Sequence, residues 1–355
     1  MKIAFVGDIA LFGKFDLNKN KDIKNYFSDI KPILDSCDIC VGNLEAPFIN
    51  KSKKHGNKSA YISSSFENIN ILKHLNINTV CLSNNHIFDF GPNGLNETIT
   101  LLEENNIDWF GVKGKDFINE ELKLAFHGYC SYNTNPLGLD KKNGVNALKY
   151  SLVENKFKFY SSQGYLNILS VHSGIEHVNL CSVDDIKFAR KLADINNYVY
   201  YGHHPHVLQG VEKFKNSVLA YSLGNFCFDD LYDERTSNLL IKQSDNNKSS
   251  IILILEYDGN NITMKYIPIF QGEEKMLINS SVANDIYNKA NEYLKLPLSS
   301  YLRTRSAFSE EVFSELSSKR DFKWFIKRLS ISTLIRIADR KINTFKYKKH
   351  FSSKL

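Results

Sequence analysis

Tyr201-Gly202-His203-His204-Pro205-His206-Val207-Leu208-Gln209 is the stretch from which the rest of the chain can be read. Three of the ten histidines fall within four positions here. The residues just before, Tyr198 to Tyr201, are aromatic and β-branched and predict a buried strand. Gly202 is expected to end that strand, and Pro205 to hold the backbone out of a helix. Neutral imidazole is the commonest side-chain metal ligand, and two of them at i and i+2 on a stiff turn can converge on one ion. A lone His-x-His decides little; its weight comes from other strand ends that carry the same kind of residue.

Upstream, Lys2–Val6 reads as a strand ending at Gly7-Asp8, and Ile39–Gly42 as one ending in Asn43-Leu44-Glu45. Thr79–Leu82 ends in Ser83-Asn84-Asn85-His86, and Leu166–Val171 in His172-Ser173-Gly174-Ile175-Glu176. A strand is also expected at Leu122–Gly128, followed by an Asn- and Gly-rich loop to about Val145. Between strands, helices are expected at Lys21–Leu34 (stopped near Pro32), Phe66–Leu75, Gly94–Asn105 and from the Ser182 cap to about Asn196. Downstream, Gly210–Phe214 with Val218–Tyr221, and Ile251–Tyr257 with Ile262–Ile269, read as hairpins, the second turning at Asp258-Gly259-Asn260-Asn261. Strands alternating with helices and then pairing give an α/β class with a mixed sheet or two stacked sheets. Asp8, Glu45, Asn85, His86, His172, His204 and His206 recur at carboxyl ends of strands, the edge where open α/β sheets build their sites.

At 355 residues and 43% hydrophobic, the chain can bury one large domain with an appendage. No run of about 18 apolar residues is present, and Lys2 to Asp8 does not read as a secretory signal, so a cytoplasmic protein is expected. Cys37, Cys40, Cys81, Cys130, Cys181 and Cys227 include one Cys-x-x-Cys pair without a second to complete a zinc site. They are read as reduced core thiols. The net charge of +6 hides an asymmetry. From Lys319 onward twelve Lys/Arg face only Asp321 and Asp339, a net of +10, which leaves about −4 on residues 1–318.

The blocks Gly7-Asp8, Asn43-Leu44-Glu45, Asn84-Asn85-His86-x-x-Asp89-x-Gly91, His172-x-Gly174-x-Glu176, Gly202-His203-His204-Pro205-His206-x-x-Gln209 and Tyr221-Ser222-Leu223-Gly224-Asn225-Phe226 together resemble the CapA family of bacterial capsule and poly-γ-glutamate synthesis proteins. The resemblance covers about residues 1–270, with the blocks in order. It implies the calcineurin-like metallophosphoesterase fold: two stacked mixed β-sheets flanked by helices in four layers, with a metal site at the strand ends. On that resemblance Asp8 matches the first ligand carboxylate, and Glu45 or Asn43 the bridging position. Asn85, His172, His204 and His206 match further metal ligands. His86 matches the histidine that protonates a leaving group. Glu176, read from its place in the sequence, is a base, a partner behind the ligands or one half of a structural salt bridge. Asn43, Asp89, His203 and Asn225 fall among the supporting positions. Two departures stand out: the usual Asp-x-His is Asp8-Ile9-Ala10 here, and the bridging Asp is replaced. One or two divalent ions, Mn, Zn or Fe, are implied by a donor set too rich in nitrogen for Mg or Ca.

The reading that follows is a CapA-like domain over 1–275 and a basic helical extension over 282–355. Its function is a metal-dependent hydrolase in capsule or exopolymer biosynthesis, acting on the polymer or its precursor. A non-catalytic subunit of a capsule-assembly complex is the alternative. A ligase making γ-glutamyl amides would need ATP, and no Walker-type glycine loop is present. In the extension, Asp285–Leu294 and Glu310–Ser317 read as short helices. Further on, Trp324, Ile331, Ile335, Ala338, Ile342 and Phe345 make one stripe flanked by Lys327, Arg328, Arg336, Arg340 and Lys341. Such a helix suits an anionic membrane surface at the inner face, a capsule-synthesis partner, or the protein's own core. Nucleic acid is not expected, because aromatics do not interleave with the basic residues.

Overall fold

β1 (Lys2–Ile9) shows how the layers are made. Ile3 and Phe5 enter one apolar cluster while Ala4 and Val6 enter another, the period-two alternation of a strand covered on both faces. A computed structural model describes residues 1–318 apart from 57, 59, 140–141 and 233–237, together with scattered positions between 334 and 346. In it β2 (Ile39–Leu44), β3 (Thr79–Cys81) and β4 (Asp108–Phe110) follow β1 in parallel. β5 (Phe117–Asn119), β6 (Leu124–Cys130), β7 (Leu166–His172), β8 (Tyr198–His203), β9 (Val211–Phe214) and β10 (Ser217–Ala220) form a second sheet. Its order is β5-β6-β7-β8-β10-β9, with antiparallel strands only at the two edges. The chain then returns to the first sheet. β11 (Asn225–Cys227) runs parallel to the end of β1, and β12 (Leu231–Tyr232) with β13 (Leu239–Ile241) makes a small hairpin. β14 (Ser249–Tyr257), β15 (Ile262–Gln271) and β16 (Met276–Ile278) extend the first sheet antiparallel beyond β1.

The two mixed sheets stack face to face. Phe5, Val41, Cys81 and Phe110 of the first pack against Phe126, Ile168, Val199 and Tyr201 of the second. On the outer face of the first sheet lie α1 (Ile23–Tyr26), α2 (Lys31–Asp35), α3 (Ile69–His74) and α4 (Gly91–Glu104). On the outer face of the second lie α5 (Tyr150–Ser162) and α6 (Val183–Ala193), against Tyr198 and Tyr200. The architecture is therefore two stacked mixed sheets flanked by helices, in four layers. α7 (Asp245–Lys248) precedes β14, and α8 (Ser281–Leu294) and α9 (Leu298–Ser318) follow the last strand. α8 buries Ala283, Tyr287 and Ala290, and Tyr287 joins the cluster between the sheets. α9 docks through Tyr301, whose hydroxyl donates to the Cys181 carbonyl at 2.8 Å. All six cysteines are buried and unbridged.

Several local expectations are corrected. Lys21–Leu34 is two short helices, because Pro32 stands in the first turn of α2, where its missing N–H costs nothing. Pro32 therefore starts a helix where it was expected to stop one. β8 continues through Gly202 to His203, since its parallel pairing with β7 runs on to that residue. Glu310–Ser317 is the end of one long helix, α9. α5 was not anticipated; its stripe of Val153 and Phe157 is too sparse to stand out among polar residues. Most of the basic stripe from Trp324 to Phe345 lies outside the described residues.

Candidate metal centre

Close backbone approach brings the strand ends together. A Cβ on Gly7 would meet the Gly224 carbonyl oxygen at 1.9 Å, and one on Gly202 the Tyr221 carbonyl oxygen at 2.0 Å. Only glycine at these places lets β11 close on β1 and β10 on β8, and each stands directly before a site residue, Asp8 and His203. Beneath them the Tyr201 hydroxyl, from the second sheet, donates to the Val6 carbonyl of the first. The two sheets are thus tied together directly under the site.

Asp8, Asn43 and Asn225 are in register across β1, β2 and β11. Asn43 Nδ2 donates to Asp8 Oδ1 at 2.8 Å, and His203 Nδ1 lies 3.0 Å from the same oxygen. The His204 amide donates to Asp8 Oδ2 at 3.4 Å, and His206 Nδ1 lies 2.9 Å from Asn225 Oδ1. From the end of β3, Asn84 Nδ2 donates to the Leu44 carbonyl at 2.8 Å, fixing the strand end from which Glu45 projects. Asn85 Oδ1 lies 3.0 Å from His172 Nε2. His204 and His206 sit at φ 96° and 56°, a backbone shape costly for a side chain with a Cβ and tolerated where the surroundings over-determine it.

Glu45 is the centre of this arrangement. It is fully buried, and neither carboxylate oxygen has a hydrogen-bond partner. Oε1 stands 3.8 Å from His172 Nε2 and 3.7 Å from His206 Nε2. Two donor groups meet on it: Glu45 with His172 and His204, and Asp8 with Glu45 and His206, each within 4.8 Å. A buried carboxylate without a donor is costly unless a cation compensates it. Burial pushes the Glu45 carboxyl up to about 8, with Asp8 and Glu176 adding to the shift against His206 and Lys58. His172 is held well below its ordinary value by burial and by the neighbouring histidines, and burial lowers His204 to about 4. Both rings are therefore neutral, the form that binds metal. Burial opposes the ionised form of Asp8, but the bond and charge of His203 outweigh it, and the carboxylate stays low. The residues present fit a divalent transition ion.

His86 is placed beside this group, not within it. Its Nδ1 lies 2.8 Å from Asp89 Oδ2, and Lys58 Nζ stands 2.6 Å from Asp89 Oδ1 and 3.2 Å from His86 Nδ1. Lys58 also donates to the Asn85 carbonyl at 2.7 Å. Burial opposes ionisation of Asp89, yet Lys58 and His86 keep its carboxyl low, so it can only accept. The neutral His86 ring accordingly carries its proton on Nδ1 and its lone pair on Nε2. Burial and the Lys58 charge lower its pKa. Glu176 is open to solvent at the rim. Desolvation opposes its ionisation, and His204, His206, His177 and His86 outweigh that, holding it below the usual range, with solvent screening the effect.

The structure brings Asp8, Glu45, Asn85, His172, His204 and His206 together at one end of the sheets, with Asn43, His203 and Asn225 behind them and His86 with Asp89 alongside. Of the two residues left open for the bridging position, Glu45 stands between the donor groups and Asn43 bonds to Asp8 from behind. Sequence reasoning missed Lys58, which reads as one more lysine of a polar loop but is buried against Asp89. It also missed Asn84 as a brace and Gln243, whose Oε1 accepts from Asn225 Nδ2 at 3.1 Å. Asparagine and glutamine of this kind carry no periodic signal.

The family model described as bacterial capsule synthesis protein PGA_cap matches residues 2–230, a span that holds every donor named above. The PGA biosynthesis protein CapA of Bacillus subtilis (strain 168) is 26% identical over 256 residues, covering 68% of this chain and 67% of that protein. The capsule biosynthesis protein CapA of Bacillus anthracis is 26% identical over 263 residues, covering 68% of this chain and 63% of the relative. The chain thus spans about two thirds of the length of these curated relatives. The crystal structure of TT1561 of Thermus thermophilus is similar at a TM-score of 0.37 and 12% identity, over 67% of this chain and 96% of that one.

Proposed function

That the chain belongs to the bacterial capsule synthesis protein family (PGA_cap) is the premise from which we propose its function: a metal-dependent hydrolase, of the phosphoesterase kind, acting on a capsule or exopolymer chain or its precursor. The observation that carries this reading is Glu45, buried with neither oxygen hydrogen-bonded, between His172 and His204 on one side and Asp8 and His206 on the other. Asp8, Glu45, Asn85, His172, His204 and His206 would hold one or two ions, with Mn, Zn or Fe suited to the nitrogen-rich set. When bound, such an ion lowers the pKa of a coordinated water and polarises an acyl or phosphoryl oxygen. Asp8 is kept ionised and oriented by Asn43 and His203. Asp89 and Lys58 fix the His86 ring beside the donors. His86, once protonated, can pass the proton on Nε2 to a leaving oxygen. Because its surroundings favour the neutral form, the fraction able to act as acid grows as pH falls.

The first test is metal content of protein purified without chelator, by elemental analysis, alongside a Glu45→Gln variant. About one equivalent or more in the wild type and a marked loss in the variant is expected. Less than about a tenth of an equivalent after metal add-back would remove the reading. A non-catalytic assembly subunit is the second reading. One observation favours it: the donors are almost closed to solvent, with Asp8, Glu45 and His172 at 0% exposure. Among the described residues no helix is long and apolar enough to cross a membrane. A membrane or partner role for the basic stripe rests on the sequence alone.

A further inference from the structure

Between residues 51–55 and the first turns of α4 lies an open groove of about 870 Å³. Phe66, Phe90 and Pro92 give it an apolar lining, and Lys51 and Lys53 an exposed cationic one. Among the described residues that line it, Glu97 is the one acid, and it is committed to shaping the loop. It accepts from the Asn50 amide at 2.8 Å, the Lys51 amide at 3.3 Å and the Ser52 hydroxyl at 3.0 Å. Lys113 adds a third ammonium at the rim, donating to Asn96 Oδ1 at 2.7 Å. Among the described residues, no carboxylate pairs with the ammonium of Lys51, Lys53 or Lys113. Residues 1–318 carry a net charge of about −4, so three such lysines around one groove run against the charge of the body.

The same loop reaches the metal centre. The His55 amide donates to the Asp89 carbonyl at 2.7 Å, and the His55 ring stands edge-on to Phe88. That ring also rests on Gly91, where a Cβ would meet its Cγ at 3.0 Å. Three residues on, Lys58 Nζ meets Asp89 Oδ1 at 2.6 Å and the Asn85 carbonyl at 2.7 Å. A chain lying in the groove is therefore held one loop away from His86. Cations beside an apolar lining suit a chain whose charges are separated by carbon. Its carbon segments cover Phe66 and Pro92, while its carboxylates meet the lysines, which act as point charges on flexible stems. Asn93 and Thr100 offer hydrogen bonds to amides or hydroxyls between those charges.

We propose that this groove is a second binding site, which takes a polycarboxylate chain and holds its repeat units away from the bond that reacts. Contacts remote from the reacting bond let a long chain be recognised over a short fragment of it. This rests on the exopolymer reading above and deepens it by naming the charge of the polymer and the surface that receives it.

Lysine acetylation footprinting on the full chain reads the site directly, with poly-L-glutamate and alginate as polycarboxylate probes and dextran as the neutral one. Lys51, Lys53 and Lys113 should be protected by at least one polycarboxylate and not by dextran. Lys215 and Lys265, with side chains 55% and 74% exposed on other elements, should react unchanged. Protection should fade as salt rises toward about 1 M, where the Debye length falls to about 3 Å. In the double variant Lys51→Ala, Lys53→Ala, half-protection of Lys113 should need about three- to ten-fold more polymer, the worth of two exposed ion pairs. Melting temperature and metal content of that variant should match the wild type. Equal protection by dextran, none by either polycarboxylate, or half-protection of Lys113 in the variant at the wild-type concentration would overturn the inference. Protection confined to lysines from Lys319 onward would do the same, since it would place the polymer on the basic tail. The footprint is repeated on protein stripped with chelator. Protection in protein that binds no metal would sink the hydrolase reading and leave this site standing, whereas bound metal without protection would sink this site alone.

Discussion

Glu45 and His86 illustrate how a side chain's surroundings set its role, and each gives a measurable consequence. Glu45 has a folded-state pKa raised to about 8, chiefly by burial, against an ordinary value of 4.5. In metal-free protein the fold therefore prefers the protonated carboxyl. Its contribution to stability is fully present below about pH 4.5 and is lost as pH rises toward 8, because there the unfolded chain binds fewer protons. At about 1.4 kcal/mol per unit, the effect amounts to a few kcal/mol at most. Melting temperature in the presence of chelator should fall across that window, and Glu45→Gln should flatten this part of the fall. An unchanged pH slope in the variant would mean that Glu45 is not the group responsible. For His86, substitution by Ala should leave bound metal unchanged, whereas His206→Ala should lower occupancy. With a substrate in hand, loss of the general acid should cost about 10²–10⁴ in rate. Without one, capsule production at equal protein level is the readout. Normal capsule with His86→Ala would leave the assembly-subunit reading standing.

Glycine placement carries the precision of the site at the scale of strands. Gly202→Ala would drive a methyl into the Tyr221 carbonyl at 2.0 Å, a backbone atom that cannot swing aside. The expected loss is about 1–3 kcal/mol, read as an earlier midpoint in urea, together with weaker metal binding because His203 and His204 follow directly. A variant as stable as wild type and binding metal equally would show that β8 and β10 can part without cost. Much at this scale was legible in the sequence. β1, β2, β3 and β7 show as short apolar runs because parallel strands covered on both faces must be apolar throughout. The polar residue that ends each run then marks the edge where ligands gather. What was not legible depended on long-range packing. α5 has only Val153 and Phe157 fully buried, too few to give a clear helical period. Lys58 is indistinguishable from Lys53 or Lys54 until Asp89, 31 residues later, comes within 2.6 Å. β8 outruns Gly202 because its pairing with β7 holds it there, which overrides local propensity.

At the scale of the molecule, the question is where the folding unit ends. The sequence reading puts a boundary between 275 and 282, just beyond the end of the resemblance at about residue 270. Residues 281–318, however, lie against both cores: Tyr287 at 3% exposure sits in the cluster between the sheets, and Tyr301 at 4% in the cluster beneath α6. Arg305 Nε adds a bond to the Leu180 carbonyl at 3.3 Å. We propose that the unit able to fold alone runs to about Ser318, with the basic residues from Lys319 onward as the separable part. Losing a buried aromatic costs about 3–5 kcal/mol at each site, a large share of the roughly 5–15 kcal/mol that typically holds a domain together. A chain ending at Ser318 should thus be soluble, with a cooperative melt close to that of the full protein and the same metal content. One ending at Ser280 should be insoluble, or should melt broadly and bind a hydrophobic dye. The shorter chain also removes the helices that cover β14, β15 and the second sheet, so single substitutions Tyr287→Ala and Tyr301→Ala in the full chain provide the control. If the Ser280 chain melts as sharply and as high as the full protein, α8 and α9 are only an appendage. Vesicles with anionic headgroups then separate the remaining function. Binding by the full chain and none by the chain ending at Ser318 places any membrane contact in the basic segment, and equal binding by both would remove it from there.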